Sequence, residues 1–165
     1  MVAPVSFSVS TSEQMQAFGK QIATILTAGD VVVLSGPLGA GKTTFVQGLA
    51  QQLDVQGAVT SPTFVVSRVH KPKSLGLALV HVDAYRLSSQ SDLVDLDLDA
   101  SKNAVFVIEW GKDFVSGFTE NWLEIEIDRA QEITDDSDPA SGIRTIAVTA
   151  IGNRWSELDL SGLVL

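Results

Sequence analysis

The chain has 165 residues, 45% of them apolar, a formal net charge of −9 and no cysteine. That length suits one domain with a real hydrophobic core, and the missing thiols exclude disulfides, thiolate nucleophiles and Cys-based zinc sites, while His70 and His81 alone make a poor transition-metal set. No apolar run approaches the roughly 20 residues of a membrane helix, and residues 1–12 lack the basic start and apolar centre of a signal peptide, so a cytoplasmic protein with a single domain over residues 1–165 is expected.

Ser10-Thr11-Ser12-Glu13, followed by Met15, Phe18, Ile22, Ile25 and Leu26 at helical spacing, predicts an amphipathic helix with a Ser/Thr cap. It should run to about residue 28 and end at Gly29-Asp30. Residues 31–34, Val-Val-Val-Leu, predict a buried strand that runs directly into Gly36-Pro37-Leu38-Gly39-Ala40-Gly41-Lys42-Thr43. This is the spacing and setting of a phosphate-cradling loop between strand and helix. Glycines at 36, 39 and 41 let the backbone turn tightly and bring N–H groups to phosphate oxygens. The helix over 44–53, with Phe45, Val46, Leu49 and Ala50 on one side, adds its positive N-terminal end. Lys42 can reach the β- and γ-phosphates, and Thr43 places a hydroxyl where a phosphate-bound Mg²⁺ needs an oxygen ligand. A nucleoside triphosphate is the expected ligand.

Gln56-Gly57 closes that helix. Ser61-Pro62-Thr63 then opens a β-rich stretch over 64–70, and Lys71-Pro72-Lys73-Ser74 turns the chain into 77–82, so the pair reads as a hairpin. The Ser-Pro-Thr turn reads either as a switch sensing the γ-phosphate or as the start of a strand. Residues 92–99 alternate acids with Leu93, Val94, Leu96 and Leu98, as a short helix or an irregular loop would. Residues 104–108 predict another apolar strand. The segments 121–127 and 145–151 predict a terminal antiparallel pair joined by a polar loop, 134–142, that is expected to be mobile.

Two of these apolar runs end in acids, Asp83 and Glu109. Ligands of open α/β sheets bind at the carboxyl ends of the strands, so strands parallel to 31–34 would deliver both acids beside the phosphate loop. Mg²⁺ ligation and the orientation of an attacking water need carboxylates there. A lone acid after an apolar run is as often just the first solvated residue of a loop. Trp110 reads as a core or rim aromatic or as a residue near the nucleotide, with packing favoured, and Arg86 is open between phosphate, a carboxylate and a partner surface.

Charge is unevenly spread. Residues 1–91 hold six basic and four acidic residues, net +2, whereas 92–165 hold five and sixteen, net −11. Such an acidic half repels a phosphate backbone, so no direct nucleic-acid contact is expected and any link to RNA should run through another protein. Part of that acidity serves only as a solvated face.

Taken in order, Gly36 to Phe45, Ser61-Pro62-Thr63-Phe64, His81-Val82-Asp83-Ala84-Tyr85-Arg86-Leu87 and Val107-Ile108-Glu109-Trp110 resemble the TsaE family, formerly YjeE, small bacterial ATPases required for threonylcarbamoyladenosine modification of tRNA. The resemblance covers residues 10–110, about two thirds of the chain, and is weaker in the tail. It implies an α/β fold of P-loop NTPase type, a three-layer sandwich whose mixed sheet has a parallel core and added antiparallel strands. It also implies an Mg²⁺-dependent ATPase with Lys42, Asp83 and Glu109 in catalysis. Thr11, Gly36, Leu38, Gly39, Ala40, Gly41, Lys42, Thr43 and Thr44 would contact ATP, with Thr43 and Glu109 on Mg²⁺. Asp83 would serve as base, water orienter or outer-shell metal partner. The implied partners are TsaB and TsaD, whose complex makes the transfer, with ATP used to permit repeated turnover. The absence of an Asn-Lys-x-Asp segment favours ATP over GTP.

Two rivals stand beside this reading. A small-molecule P-loop kinase needs an arginine-bearing lid and an acceptor pocket, and the sequence offers only Arg68 and Arg86 near the site, against acids at 92, 95, 97 and 99. A non-hydrolysing nucleotide switch is the other, and Asp83 and Glu109 speak against it.

Overall fold

The computed structural model describes residues 3–62, 66–88, 103–129 and 142–163. Thr63, the acidic stretch 92–99 and residues 134–141 lie outside these. In chain order the elements are β1 (Val5–Val9), α1 (Ser12–Ile25), β2 (Val31–Ser35), α2 (Lys42–Leu53), β3 (Ser67–His70), β4 (Ala78–Asp83), β5 (Ala104–Glu109), β6 (Trp122–Arg129) and β7 (Arg144–Ile151). All seven strands share one sheet, ordered β1-β7-β6-β2-β5-β4-β3.

The apolar runs of β2 and β5 are those of interior strands covered on both faces: every residue of β5 is buried, as are the first four of β2. β4, β5, β2 and β6 run parallel, and β3, β7 and β1 are added antiparallel. The predicted terminal pair exists, with Ile125 opposite Val148, but it is not peripheral. β6 also pairs in parallel with β2, Leu34 opposite Ile125, which places it inside the parallel core. β1 is an edge strand that the sequence reading passed over, although Val5, Phe7 and Val9 alternate with serines.

Side-chain alternation divides the core into two faces. One holds Val32, Leu34, Leu79, Val105, Val107 and Ile125, covered by α1 and α2 through Phe18, Ile22, Phe45 and Leu49. The other holds Val31, Val33, Val80, Val82, Phe106 and Ile108, closed among the described residues by Leu87, Phe114, Val115 and Phe118 from segments outside the strands and by Trp122 at the head of β6.

Thr11 caps α1, its Oγ1 accepting from the Gln14 N–H at 3.1 Å. The helix stops at Ile25, three residues before the predicted end. Leu26 turns extended, and the Asp30 carboxylate takes the Thr27 N–H at 2.7 Å, which competes with another helical turn. The two helices pack backbone against backbone: a Cβ at Gly48 would fall on the Gln16 carbonyl. Among the described residues no helix is long and apolar enough to cross a membrane.

Candidate functional site

The loop between β2 and α2 turns on Gly39 and Gly41, at φ +75° and +106°. Gly41 is the N-cap of α2 in left-handed geometry, and no side chain caps that end. The first N–H groups of a helix have no internal partners, and here their acceptor must come from outside the helix, which is the arrangement that receives anions.

Lys42 opens α2 yet is buried. Its Nζ donates to the Gly36 carbonyl at 2.6 Å and the Pro37 carbonyl at 3.2 Å, and lies 4.6 Å from the centre of the Trp110 ring. Burial pushes the ammonium below its ordinary value of 10.5, while Glu109 and Asp83 pull it partly back.

The two acids arrive by strand register. β4 and β5 are parallel and Asp83 pairs with Glu109. Alternation along β4 places His81 and Asp83 on the face of Leu79, and along β5 it places Glu109 on that of Val105 and Val107, which is the helix-covered side. Both acids are buried, at 5% and 3% exposure. Asp83 Oδ1 accepts the Tyr85 N–H at 2.9 Å, and His81 Nε2 donates to Glu109 Oε1 at 2.9 Å. The cleft of about 560 Å³ lined by Leu38, Gly39, Gly41, Lys42, Thr43, Thr44, Ser61, Asp83, Tyr85, Glu109 and Trp110 thus joins the loop, the hydroxyls and both carboxylates. A smaller hollow of about 80 Å³ shares Gly39, Ala40, Gly41 and Thr44 with the loop and brings in Thr11 and Arg144.

Three placements differ from the sequence reading. Trp110 does not pack as a core aromatic. It follows β5 at φ +60°, lies over Lys42 and meets Tyr85 edge-on at 5.4 Å between centroids, so it forms a wall of the cleft. Arg129 and Arg144, which the sequence reading did not place near the site, stand beside the loop. Arg129 ends β6 and Arg144 opens β7, paired with each other in register. The Arg144 Nε donates to the Ala40 carbonyl at 3.2 Å and Nη2 to the Gly39 carbonyl at 3.4 Å. The only signal for Arg144 was its place at the head of an alternating strand.

The donor set also bears on which metal would suit the cleft. Among the described residues no group of three or more His, Cys, Asp or Glu side chains can hold an ion. The metal donors that line the cleft are oxygens, the hydroxyls of Thr43, Thr44 and Ser61 and the paired carboxylates. A few hard donors fit Mg²⁺, which takes its other oxygens from phosphate and water, and fit poorly a metal that needs a full protein cage.

Known proteins resemble this chain over most of its length. The family described as threonylcarbamoyl adenosine biosynthesis protein TsaE matches residues 9–137. The Streptomyces coelicolor tRNA threonylcarbamoyladenosine biosynthesis protein TsaE is 50% identical over 151 residues, 90% of this chain and 99% of that protein. The Bacillus subtilis protein of that name is 36% identical over 146 residues, 88% of this chain and 85% of its own length. A crystal structure of Bacillus subtilis YdiB superposes with a TM-score of 0.70 at 32% identity, covering 94% of this chain and 90% of that one. Matched along most of its length, and half identical to a relative it spans almost end to end, the chain belongs to the TsaE family of threonylcarbamoyladenosine biosynthesis proteins.

Proposed function

We propose that this chain serves tRNA threonylcarbamoyladenosine formation as a cytoplasmic, Mg²⁺-dependent ATPase, acting on a complex of TsaB- and TsaD-like proteins rather than making the transfer itself. Family membership supports the pathway and a partnership with other proteins of it. The observation that carries the ATPase reading is one cleft that joins an uncapped helix N-terminus and Lys42 to two buried carboxylates in register.

In this reading the loop N–H groups and the α2 terminus hold the phosphates, and Lys42 leaves the Pro37 carbonyl to meet them. Thr43 and Glu109 hold the metal, and the chemistry it supplies when bound is neutralisation of charge on the β- and γ-phosphates. Asp83, which lines the cleft with one oxygen held by the Tyr85 N–H, would orient water or accept its proton. Trp110, met edge-on by Tyr85, covers the Lys42 ammonium. An acidic protein that works on a protein complex needs no basic RNA face, which agrees with the −11 carried by residues 92–165.

Phosphate release, measured with and without the TsaB/TsaD pair, tests the reading. Release should be slow alone, rise with the pair and vanish in Lys42→Ala. Asp83→Ala and Glu109→Ala should keep much of the nucleotide affinity and lose turnover. No release above background in either case would instead support the non-hydrolysing switch, and a phosphorylated acceptor would support the kinase.

A further inference from the structure

His81 is fully buried on β4, and the only hydrogen bond it makes among the described residues runs from Nε2 to Glu109 Oε1. Its second ring nitrogen, Nδ1, is buried with no hydrogen-bond partner there. An orphaned ring nitrogen costs free energy that an aliphatic side chain would not, and the same face of β4 accepts Leu79 two residues away. The imidazole is therefore a net burden at this position unless its Nε2–H does something.

Register shows what that is. Asp83 stands opposite Glu109 and His81 opposite Val107, so β4 presents to the Glu109 carboxylate a donor and an acid spaced by two residues on one face. Glu109 Oε1 is held by His81, and Oε2 accepts no hydrogen bond from any described residue. A carboxylate pinned by one oxygen has its rotation fixed and its other oxygen presented. We propose that His81 is a positioning residue: its Nε2–H locks the Glu109 carboxylate so that Oε2 faces the Thr43 side of the cleft, ready to take a divalent cation. This rests on the reading of Glu109 as a Mg²⁺ ligand.

Nucleotide affinity should be measured by fluorescence titration with Mg²⁺ and with EDTA. In His81→Leu the metal-free affinity should stay within about twofold while the Mg²⁺ concentration needed at saturating ATP rises about 10–100-fold, the usual effect of losing a residue that orients a metal ligand. His81→Gln, which can carry an N–H donor to the same place, should recover most of it. Equal impairment of the two variants, or unchanged Mg²⁺ dependence in His81→Leu, overturns the proposal. Should His81→Leu fail to fold, the wild-type protein still decides: ¹⁵N NMR of the imidazole must show the proton on Nε2, and a bare Nε2 overturns it. A wild-type chain whose nucleotide affinity ignores Mg²⁺ overturns the ligand reading itself, and is told apart because no variant is involved.

Discussion

Arg144→Met separates what holds the fold from what shapes the loop. The guanidinium is 8% exposed, and burial, then the neighbouring Arg129, make its charge less favourable than in water. Among the described residues it donates to three neutral carbonyls: Ala40 at 3.2 Å, Gly39 at 3.4 Å and Gly142 at 3.0 Å. Bonds from a charged donor contribute about 1.5–3 kcal/mol each, and the two long ones to the loop belong at the weak end. Methionine keeps the stem volume and removes both the desolvation cost and the repulsion from Arg129, so these terms offset most of the lost bonds in stability. The melting temperature should move by no more than about 4 °C, equivalent to about 1 kcal/mol for a chain of this size. The loop, however, loses the clamp on its Gly39 and Ala40 carbonyls, whose peptide planes set where the following N–H groups point. Losing about 1.4 kcal/mol of that preorganisation weakens nucleotide binding about tenfold. Calorimetry gives the first quantity and titration with a fluorescent nucleotide the second. Unchanged affinity, whatever the melting temperature does, would refute the claim that Arg144 shapes the loop.

Two other perturbations follow from the same coordinates. Lys42 has a lower proton affinity in the folded chain than the ordinary 10.5, so between its lowered value and 10.5 the unfolded chain holds more protons and stability rises with pH. Phosphate should restore the charge, so ATP affinity should fall as pH rises through that window; titration calorimetry in buffers of differing ionisation enthalpy should register proton uptake on binding, and no uptake would contradict the assignment. Gly48→Ala gains about 1 kcal/mol of helix propensity but must push α1 off α2 because its Cβ meets the Gln16 carbonyl, an overpacking cost of about 1–3 kcal/mol, so the melting temperature should fall or at best hold. A clear rise in a thermal melt would show that the helices separate freely.

The phosphate loop and its flanking elements were readable because their signals are local: a run of valines, three glycines at fixed offsets, an apolar helix face. Asp83 and Glu109 were readable one step further, since an acid that ends a buried strand has only one sheet end to occupy once the strands are parallel. What escaped is set by pairing between distant segments. Nothing within residues 121–129 says that β6 takes β2 as well as β7 for a neighbour, and only that insertion carries Arg129 and Arg144 to the loop. His81 opens the segment His81 to Leu87, but its partner lies 28 residues away on another strand.

Trp110 escaped for a different reason, which bears on how the cleft works. Strict alternation after Ile108 and Glu109 would send residue 110 to the far face beside Ile108. The backbone enters the left-handed region there instead, at φ +60°, a conformation costly for a residue with a Cβ, and the ring lies on the Lys42 side. Its N–H is still satisfied, donating to the Leu34 carbonyl at 2.9 Å, so the turn is anchored to the strand that feeds the phosphate loop. The strain is thus held by β2 and spent on one contact, an aromatic wall against the lysine. A glycine would adopt that turn without cost but would leave the lysine open to water, so the tryptophan is tolerated there for its ring.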